Sequence, residues 1–207
     1  DASISQTVGL PLKFTGTVSI DWGDGTTEDV TGDGWKEHTY AGTAKYTATF
    51  SGTITEVWGS TTPAGRYDAL TKITSWGDSP LVKIWLYQTT NLVEVPPNLP
   101  AGVTSINELF KESGIDDSNV LAWDTRGVVD WGEFLKDADN FNQQIGYLRT
   151  ESGVNFERAL GGMASFNQHL RGWDMTNADD LADFMNGATA MNSRLWEGGT
   201  PALVSVQ

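Results

Sequence analysis

The residues with the clearest chemical potential form the segment Asp21-Trp22-Gly23-Asp24, which ends a strand-like run. Two carboxylates beside an indole suit three roles: a metal site, acid–base catalysis or a tight turn. An EF-hand loop takes oxygen ligands from its positions 1, 3, 5 and 12, but positions 3 and 5 from Asp21 are Gly23 and Gly25. Asp-Gly between two strand-like runs is a strong hairpin signal. The segment is therefore predicted to be a structural turn, with metal binding and catalysis as alternatives.

Other catalytic motifs are missing from the sequence. It has no P-loop, dinucleotide fingerprint, G-x-S-x-G elbow or H-E-x-x-H motif, and no cysteine. Its two histidines, His38 and His169, lie far apart, and we expect His38 to be structural and His169 to be exposed. The 27 acidic residues offer many carboxylate pairs of the glycosidase kind, but nothing singles one out. We expect no enzymatic activity, no cofactor and no metal.

The charge balance limits the partners. The formal net charge of -14 repels phosphate backbones and anionic lipids, so we expect no nucleic-acid binding. No apolar run approaches the ~18 residues of a membrane span, so we expect no membrane insertion. The sequence begins at Asp1 rather than Met, which fits removal of an N-terminal segment or an incomplete sequence.

The first third of the chain has a strand pattern. Short alternating or β-branched runs are separated by glycines, and none has a helical period. The pattern predicts a small antiparallel sandwich. The strand-like runs are Leu10–Phe14, Thr17–Ile20, His38–Tyr40, Lys45–Phe50 and Thr53–Val57.

A family resemblance covers about the same residues. Val18–Gly25, followed by Glu37–Tyr40 and Tyr46–Phe50, resembles a polycystic-kidney-disease (PKD-like) β-sandwich repeat. The resemblance implies an immunoglobulin-like fold that serves as a spacer or adhesion module without catalysis. It also implies that the Trp-Gly-Asp-Gly stretch is mainly a structural signature.

The rest of the chain repeats at a constant step of 25 positions. Phe141-Asn142-Gln143 recurs as Phe166-Asn167-Gln168 and, degraded, as Met191-Asn192-Ser193. Apolar side chains keep the same step, which predicts that each unit gives equivalent residues to one shared core. The columns are Val95, Val120, Ile145, Leu170, Leu195; Leu81, Ile106, Trp131, Phe156, Leu181; Trp85, Phe110, Leu135, Leu160, Met185; Ile84, Leu109, Phe134, Ala159, Phe184; and Trp123, Leu148, Trp173.

Each unit combines two local patterns. Trp131, Phe134, Leu135 and Ala138 have the i, i+3, i+4, i+7 spacing of one helix face, and Ile145–Leu148 is a short extended stretch. A helix and a strand in every repeat unit predict a leucine-rich-repeat solenoid with a parallel sheet on one side. The Asn of each Phe-Asn-Gln is predicted to hydrogen-bond buried backbone groups rather than a ligand.

A second resemblance supports this interpretation. Ala138–Gln144, Ala164–Asp174 and Asp183–Asn192 resemble BspA-type leucine-rich repeats of bacterial surface lipoproteins and phage virion proteins. The resemblance implies an extracellular or virion-surface binding scaffold and no reaction. The predicted fold class is thus mainly β plus an α/β solenoid, with a PKD-like sandwich over residues 1–60 and a solenoid over residues 66–207. The turn-rich segment Gly59–Arg66 is the predicted junction.

These patterns favour a non-enzymatic surface-display, adhesion or decoration protein. We expect a virion surface component (capsid decoration, fibre or tail tip), with a bacterial cell-surface adhesin as an alternative. The expected partners are other virion or surface proteins, further copies of the chain, or a host-surface protein or glycan. A carbohydrate-active enzyme with an accessory module and a pure spacer remain further alternatives. The candidate ligand-binding residues, which vary beside the core columns, are Tyr147, Arg149, His169, Arg171 and Asp174.

Overall fold

The computed structural model describes residues 5–42, 44–57 and 69–192. Its first part is built around one long strand, β1, whose neighbours are short. The elements are strands β1 (Ser5–Asp21), β2 (Thr27–Thr31), β3 (Gly34–Ala41), β4 (Thr49–Val57) and β5 (Lys83–Ile84), and the 3-10 turns η1 (Ser118–Ala122) and η2 (Ile145–Tyr147).

Strand β1 is the centre of the sheet because it pairs with three other strands. Its first half runs antiparallel to β3, its second half antiparallel to β2, and its other edge antiparallel to β4. The order along the sheet is β2-β1-β4-β5, with β3 beside β2 on the same edge of β1. Alternate residues of β1 enter the core, as expected for a strand with one buried face; they are Leu12, Phe14, Val18 and Ile20.

The sheet continues from β4 into the repeats. Strand β4 pairs in parallel with β5, where Glu56 lies opposite Lys83. A single parallel bridge links Lys83 to Ser105, and further bridges join equivalent positions of successive repeats, through Ser105, Asp130, Asn155 and Asp180. We call each of these stacked segments a coil. The strands of the first part and the coils therefore share one mixed sheet.

The predicted fold class, a β-sandwich followed by an α/β solenoid, is wrong. The described residues contain no α-helix, and the named strands form one mixed five-stranded sheet instead of two facing sheets. The boundaries predicted at residues 60 and 66 stay a prediction, because the junction Gly59–Arg66 lies outside the described residues.

Backbone hydrogen bonds explain why the predicted helices do not form. In the coil after Trp131, alternate N–H groups donate to the next coil, as from Glu133 to the carbonyl of Glu157 and from Leu135 to that of Ala159 (2.8 and 2.9 Å). The N–H groups between them bond three residues back, as from Phe134 to Trp131. An α-helix needs every N–H for its own i−4 carbonyl. Left-handed φ values of 50° at Glu133 and 56° at Asp137 turn the backbone into this alternating arrangement.

The predicted core columns are confirmed by burial. Their members in the middle of the chain are at most 4% exposed: Val95, Val120, Ile145, Leu170; Ile106, Trp131, Phe156; Phe110, Leu135, Leu160; Leu109, Phe134, Ala159; and Trp123, Leu148, Trp173. Trp85 in the first coil and Leu181, Phe184 and Met185 in the last are partly buried. Leu195 lies outside the described residues. The spacing that suggested a helix face thus did identify core residues, although the backbone that carries them is different.

Candidate functional site

The Asp21–Asp24 segment is a turn, as predicted. The Oδ1 atom of Asp21 accepts from the N–H of Gly23 (2.8 Å), and that of Asp24 accepts from the N–H of Thr26 (3.0 Å). Gly23 has φ of 78°, and a Cβ there would lie 2.5 Å from the carbonyl oxygen of Thr47. In the described part of the chain, no group of three or more His, Cys, Asp or Glu residues could hold a metal ion.

The structural role predicted for His38 is also confirmed. Its ring stacks on Trp22 with a centroid distance of 4.9 Å, and its Nε2 lies 2.7 Å from Oδ2 of Asp24. Hydrogen bonds from Thr26 and His38 lower the pKa of Asp24 to about 2. The carboxylate is therefore ionised and already partnered at neutral pH, which makes it a poor general base.

The Asn residues of the Phe-Asn-Gln motif bond backbone groups between coils, as predicted, but these groups are exposed and not buried. The side-chain oxygen of Asn142 accepts from the N–H of Asn167 (2.9 Å), and that of Asn167 accepts from the N–H of Asn192 (3.0 Å). The amide of Gln168 also donates to Asn142 (3.1 Å). These side chains join successive coils and serve a structural role.

The five candidate ligand-binding residues lie on two adjacent coils. The amide of Gly172 donates to the carbonyl of Gly146 (2.8 Å), which places the backbone of Tyr147 beside that of Arg171 and Gly172. A Cβ on Gly146 would lie 2.5 Å from the carbonyl oxygen of His169, so only glycine permits this approach. The two glycines thus bring the candidate residues of both coils close together.

Tyr147 is the most exposed of the large hydrophobic residues in the described chain, at 67% of its surface. It ends η2, whose other two residues, Ile145 and Gly146, are buried. The N–H of Leu148 closes this turn on the carbonyl of Ile145 (3.0 Å), and Leu148 is itself buried. The aromatic ring therefore projects from a turn that is fixed by the core on both sides.

Arg149 and Asp174 hold equivalent positions in two successive coils, and their side chains have local partners. The guanidinium of Arg149 lies 2.9 Å from Glu151, and Oδ1 of Asp174 accepts from both the hydroxyl and the N–H of Thr176. These hydrogen bonds from Thr176 lower the pKa of Asp174. Arg171 is exposed as well and takes part in contacts of its own. A ligand at these residues would compete with existing surface interactions.

His169 is not exposed as predicted. It is half-buried, and its Nδ1 atom is shielded from solvent without a hydrogen-bond partner among the described residues. The close approach of Gly146 causes this burial, because the Cβ position of that glycine lies 3.2 Å from Nδ1. His169 is therefore less accessible to a ligand than the four exposed candidates.

A buried threonine ladder supports this surface and was missed from the sequence. Thr125 and Thr150 are each 0% exposed. The hydroxyl of Thr125 donates to the carbonyl of Arg149 and accepts from its N–H (2.9 Å each). Thr150 bonds Asp174 in the same way (3.0 and 2.7 Å). The two threonines hold the same place in successive repeat units, so the 25-residue step was a sequence signal for them.

A second surface feature is a charged cleft of about 230 Å³. Gly161 and Gly162 form part of its lining, between coils that carry long charged side chains. The charged groups around it are paired, Lys136 with Asp137 (3.5 Å) and Arg158 with Asp183 (3.4 Å). The cleft is lined by Lys136, Asp137, Arg158, Gly161, Gly162, Asp183 and Asn186.

Comparisons with known proteins give a match to a family model for the second half of the chain. Among the described residues, no helix has the length and apolar character needed to cross a membrane. No curated protein and no solved structure matches the chain. Because the family-model match begins at residue 100, it does not test the PKD-like resemblance of the first third of the chain, which stays a prediction. Residues 100–198 match the family model described as "Mycoplasma protein of unknown function, DUF285", and this family is related to the BspA-type surface repeats.

Proposed function

We propose that this protein is a non-enzymatic recognition scaffold displayed at a surface, where it binds a protein or glycan. Binding occurs through the recognition face, which we define as Tyr147, Arg149, Arg171 and Asp174. The observation that carries the proposal is Tyr147, an aromatic side chain that is 67% exposed on a buried turn. Tyrosine and arginine are enriched at the energetic centres of interfaces.

The rigidity of the recognition face supports the proposal. The glycine contact between Gly146 and Gly172 and the hydroxyl of Thr150 fix the backbone beneath the exposed side chains. An aromatic ring held on a fixed backbone loses little conformational entropy when it binds, so more of the contact energy appears as affinity. The residues at equivalent repeat positions differ between the two coils: Tyr147 corresponds to Gly172, and Arg149 corresponds to Asp174. The combination of side chains on the recognition face is therefore particular to these two coils.

The family match supports a bacterial cell surface as the setting. Its description refers to a Mycoplasma protein, and the related BspA-type repeats are surface repeats. The net charge of -14 keeps such a chain from adhering to nucleic acid or to anionic lipid. Immunogold labelling of intact cells or particles that carry the protein tests the setting. Label on a virion instead of a cell would assign the scaffold to the phage alternative.

Glycan-array binding and binding to intact host cells test recognition itself. We expect Tyr147→Ala to weaken binding at least tenfold while the unfolding midpoint is unchanged, because the ring contacts solvent and not the core. Val93→Ala is the matched control, since Val93 is 63% exposed on another coil. Equal affinities for the two variants would remove the recognition face from the proposal.

An activity assay addresses the enzymatic alternative. The purified chain is incubated with the glycans that it binds, and reducing ends are measured. A binding scaffold releases none. Release of sugar that survives Tyr147→Ala would replace the proposal with a glycosidase, whose carboxylates would then have to be found among the 27 acidic residues.

A further inference from the structure

Three successive coils alternate between exposed and buried residues around the recognition face. In residues 122–126, 147–151 and 172–176, the second and fourth positions are buried. The first, third and fifth positions are exposed, Glu151 to 35% of its side chain. The hydroxyls of Thr125 and Thr150 bond the backbone of Arg149 and Asp174, which keeps the three segments in register. We call the three outward positions of each segment, taken together, the outer grid.

Tyr147 is the aromatic member of the outer grid, and small residues stand beside it on both neighbouring coils. Ala122 holds the equivalent position in the coil before, and Gly172 holds it in the coil after. A Cβ on Gly172 would lie 3.9 Å from the Cα of Tyr147, so these two positions are close together. Because neither neighbour has a side chain long enough to cover the ring, Tyr147 keeps 67% of its surface exposed. The grid thus offers an aromatic surface to a flat ligand group.

Most of the other grid positions carry charged groups in opposite pairs. Arg126 holds both oxygens of Asp124 (2.8 and 2.5 Å), and Arg149 holds both oxygens of Glu151 (3.3 and 2.9 Å). The order of acid and base is reversed between these two coils, so unlike charges are also neighbours across them. Hydrogen bonds from Arg126, and to a lesser extent the charge of Arg149, lower the pKa of Asp124 to about 2. With Asp174, the grid combines hydrogen-bond donors and acceptors and has little net charge.

We propose that the outer grid binds an uncharged glycan, an inference that rests on the proposed recognition function. The apolar C–H face of a pyranose ring packs on the ring of Tyr147, whose π-face is electronegative. Neighbouring sugar hydroxyls donate to the carboxylates and accept from the guanidiniums, since both groups offer paired hydrogen-bonding atoms. Water can remain between a sugar and these side chains, so the ion pairs keep much of their hydration.

The composition of the grid argues against a protein partner. The buried centre of a protein interface is poor in charged residues, because ion pairs lose hydration when they are sealed from water. Five of the nine grid positions are charged, and Tyr147 is the one large hydrophobic residue. The net charge of -14 argues against an acidic glycan, because the field of the whole chain repels sialic and uronic acids. An uncharged glycan meets neither obstacle.

Binding of the full chain to a glycan array of matched pairs tests the ligand class. Each uncharged oligosaccharide is printed beside the same oligosaccharide capped with sialic acid. We expect binding to at least one uncharged oligosaccharide and binding at least about threefold weaker to its capped form. The affinity for the uncharged form should change less than about twofold between about 0.05 and about 0.5 M NaCl, because no ligand charge is screened.

Substitutions within the grid test the aromatic contact. Tyr147→Phe should keep the affinity within about threefold, because stacking uses the ring, whereas Tyr147→Ala should weaken it at least about tenfold. Ala122→Gln should weaken binding at least about fivefold by covering one side of the ring. Ala101→Gln, at an exposed position on another coil, is the matched control and should leave the affinity unchanged. Unfolding midpoints show whether each variant is folded.

Three results would overturn this inference and leave the proposed recognition function standing. Tighter binding of the sialic-acid forms would assign an acidic glycan to the grid. Equal affinities of Ala122→Gln and Ala101→Gln would show that no ligand group packs beside the ring of Tyr147. Tyr147-dependent binding to host cells that persists after enzymatic removal of their glycans would assign the grid to a protein partner. Binding that Tyr147→Ala leaves unchanged would remove both this inference and the recognition face.

Discussion

The strands β1–β4 and the coils that follow them use backbone hydrogen bonds differently. In the first region, β1 pairs over long registers with three neighbours, so each residue has partners directly across the sheet. In the second region, each coil shares one bridge with the next and directs alternate N–H groups to it. Order in the first region thus depends on strand register and on turn residues such as Gly23, and order in the second on a repeated apolar core and on ladders such as Thr125 and Thr150.

The largest expected effect concerns the core of the coils. Trp131 is 0% exposed and packs against Phe156 and Trp173 at centroid distances of 5.9 and 5.4 Å. We expect Trp131→Ala to lower the free energy of unfolding by about 3–5 kcal/mol, the usual cost of removing a large buried aromatic side chain. Urea unfolding measures the change. The control is Val129→Ala on the same coil, and a loss as large in that exposed variant would contradict the shared core.

A smaller effect is expected in the strand region, where backbone conformation dominates. Gly23 and Gly25 both have left-handed φ values, 78° and 94°. Only at Gly23 would a Cβ clash, 2.5 Å from the carbonyl oxygen of Thr47. We expect Gly25→Ala to cost about 1 kcal/mol for its φ alone and Gly23→Ala to cost about 2–3 kcal/mol. Thermal unfolding of both variants measures the difference, and equal midpoints would show that the contact with Thr47 has no energetic role.

The smallest expected effect concerns two carboxylates, Asp24 in the strand region and Asp124 in the coils, whose pKa values are both lowered. Hydrogen bonds from Thr26 and His38 lower the pKa of Asp24 to about 2, and the Arg126 guanidinium does the same for Asp124 on the coils. A lowered folded pKa means that the unfolded chain binds more protons. Both carboxylates therefore stabilise the fold above their ordinary pKa of about 3.9 and lose this contribution as the pH falls towards about 2.

Salt distinguishes the two carboxylates. In about 1 M NaCl we expect the pKa of Asp124 to rise towards its ordinary value, because its exposed ion pair is screened. The pKa of Asp24 should change less, since its leading partner is the neutral hydroxyl of Thr26. Carboxyl chemical shifts followed by NMR give both values in one sample. A larger rise in the pKa of Asp24 than in that of Asp124 would show that charge, and not the hydroxyl of Thr26, is the main cause of the lowered pKa of Asp24.

The sequence alone predicts the buried columns but not the backbone that carries them. The repeat step is visible in residues such as Trp131 and Phe156, and both are fully buried. The spacing Trp131, Phe134, Leu135, Ala138 fits a helix face, but the partners of alternate N–H groups lie in the next coil, outside any local window. Local helix propensity could not reveal the competition between hydrogen bonds within a helix and hydrogen bonds to the next coil.

The candidate site was predictable to a similar extent. Variation beside the core columns identified Tyr147 and Arg149, which are exposed. The same reasoning failed for His169, because the glycine at position 146 draws two coils together and buries Nδ1. The Asp21–Asp24 turn was predictable, since its hydrogen bonds connect residues that are neighbours in the sequence.

The even spacing of the bridges has a consequence for how the chain folds. Each coil after Ser105 closes a loop of the same length onto the one before it, so each addition carries the same loop-closure entropy. Contacts that span one coil are short-range compared with pairings such as Lys13 with Glu56 in the strand region. We expect the coils to add one after another from the edge that β4 offers, because each bridge joins a coil only to its direct neighbour.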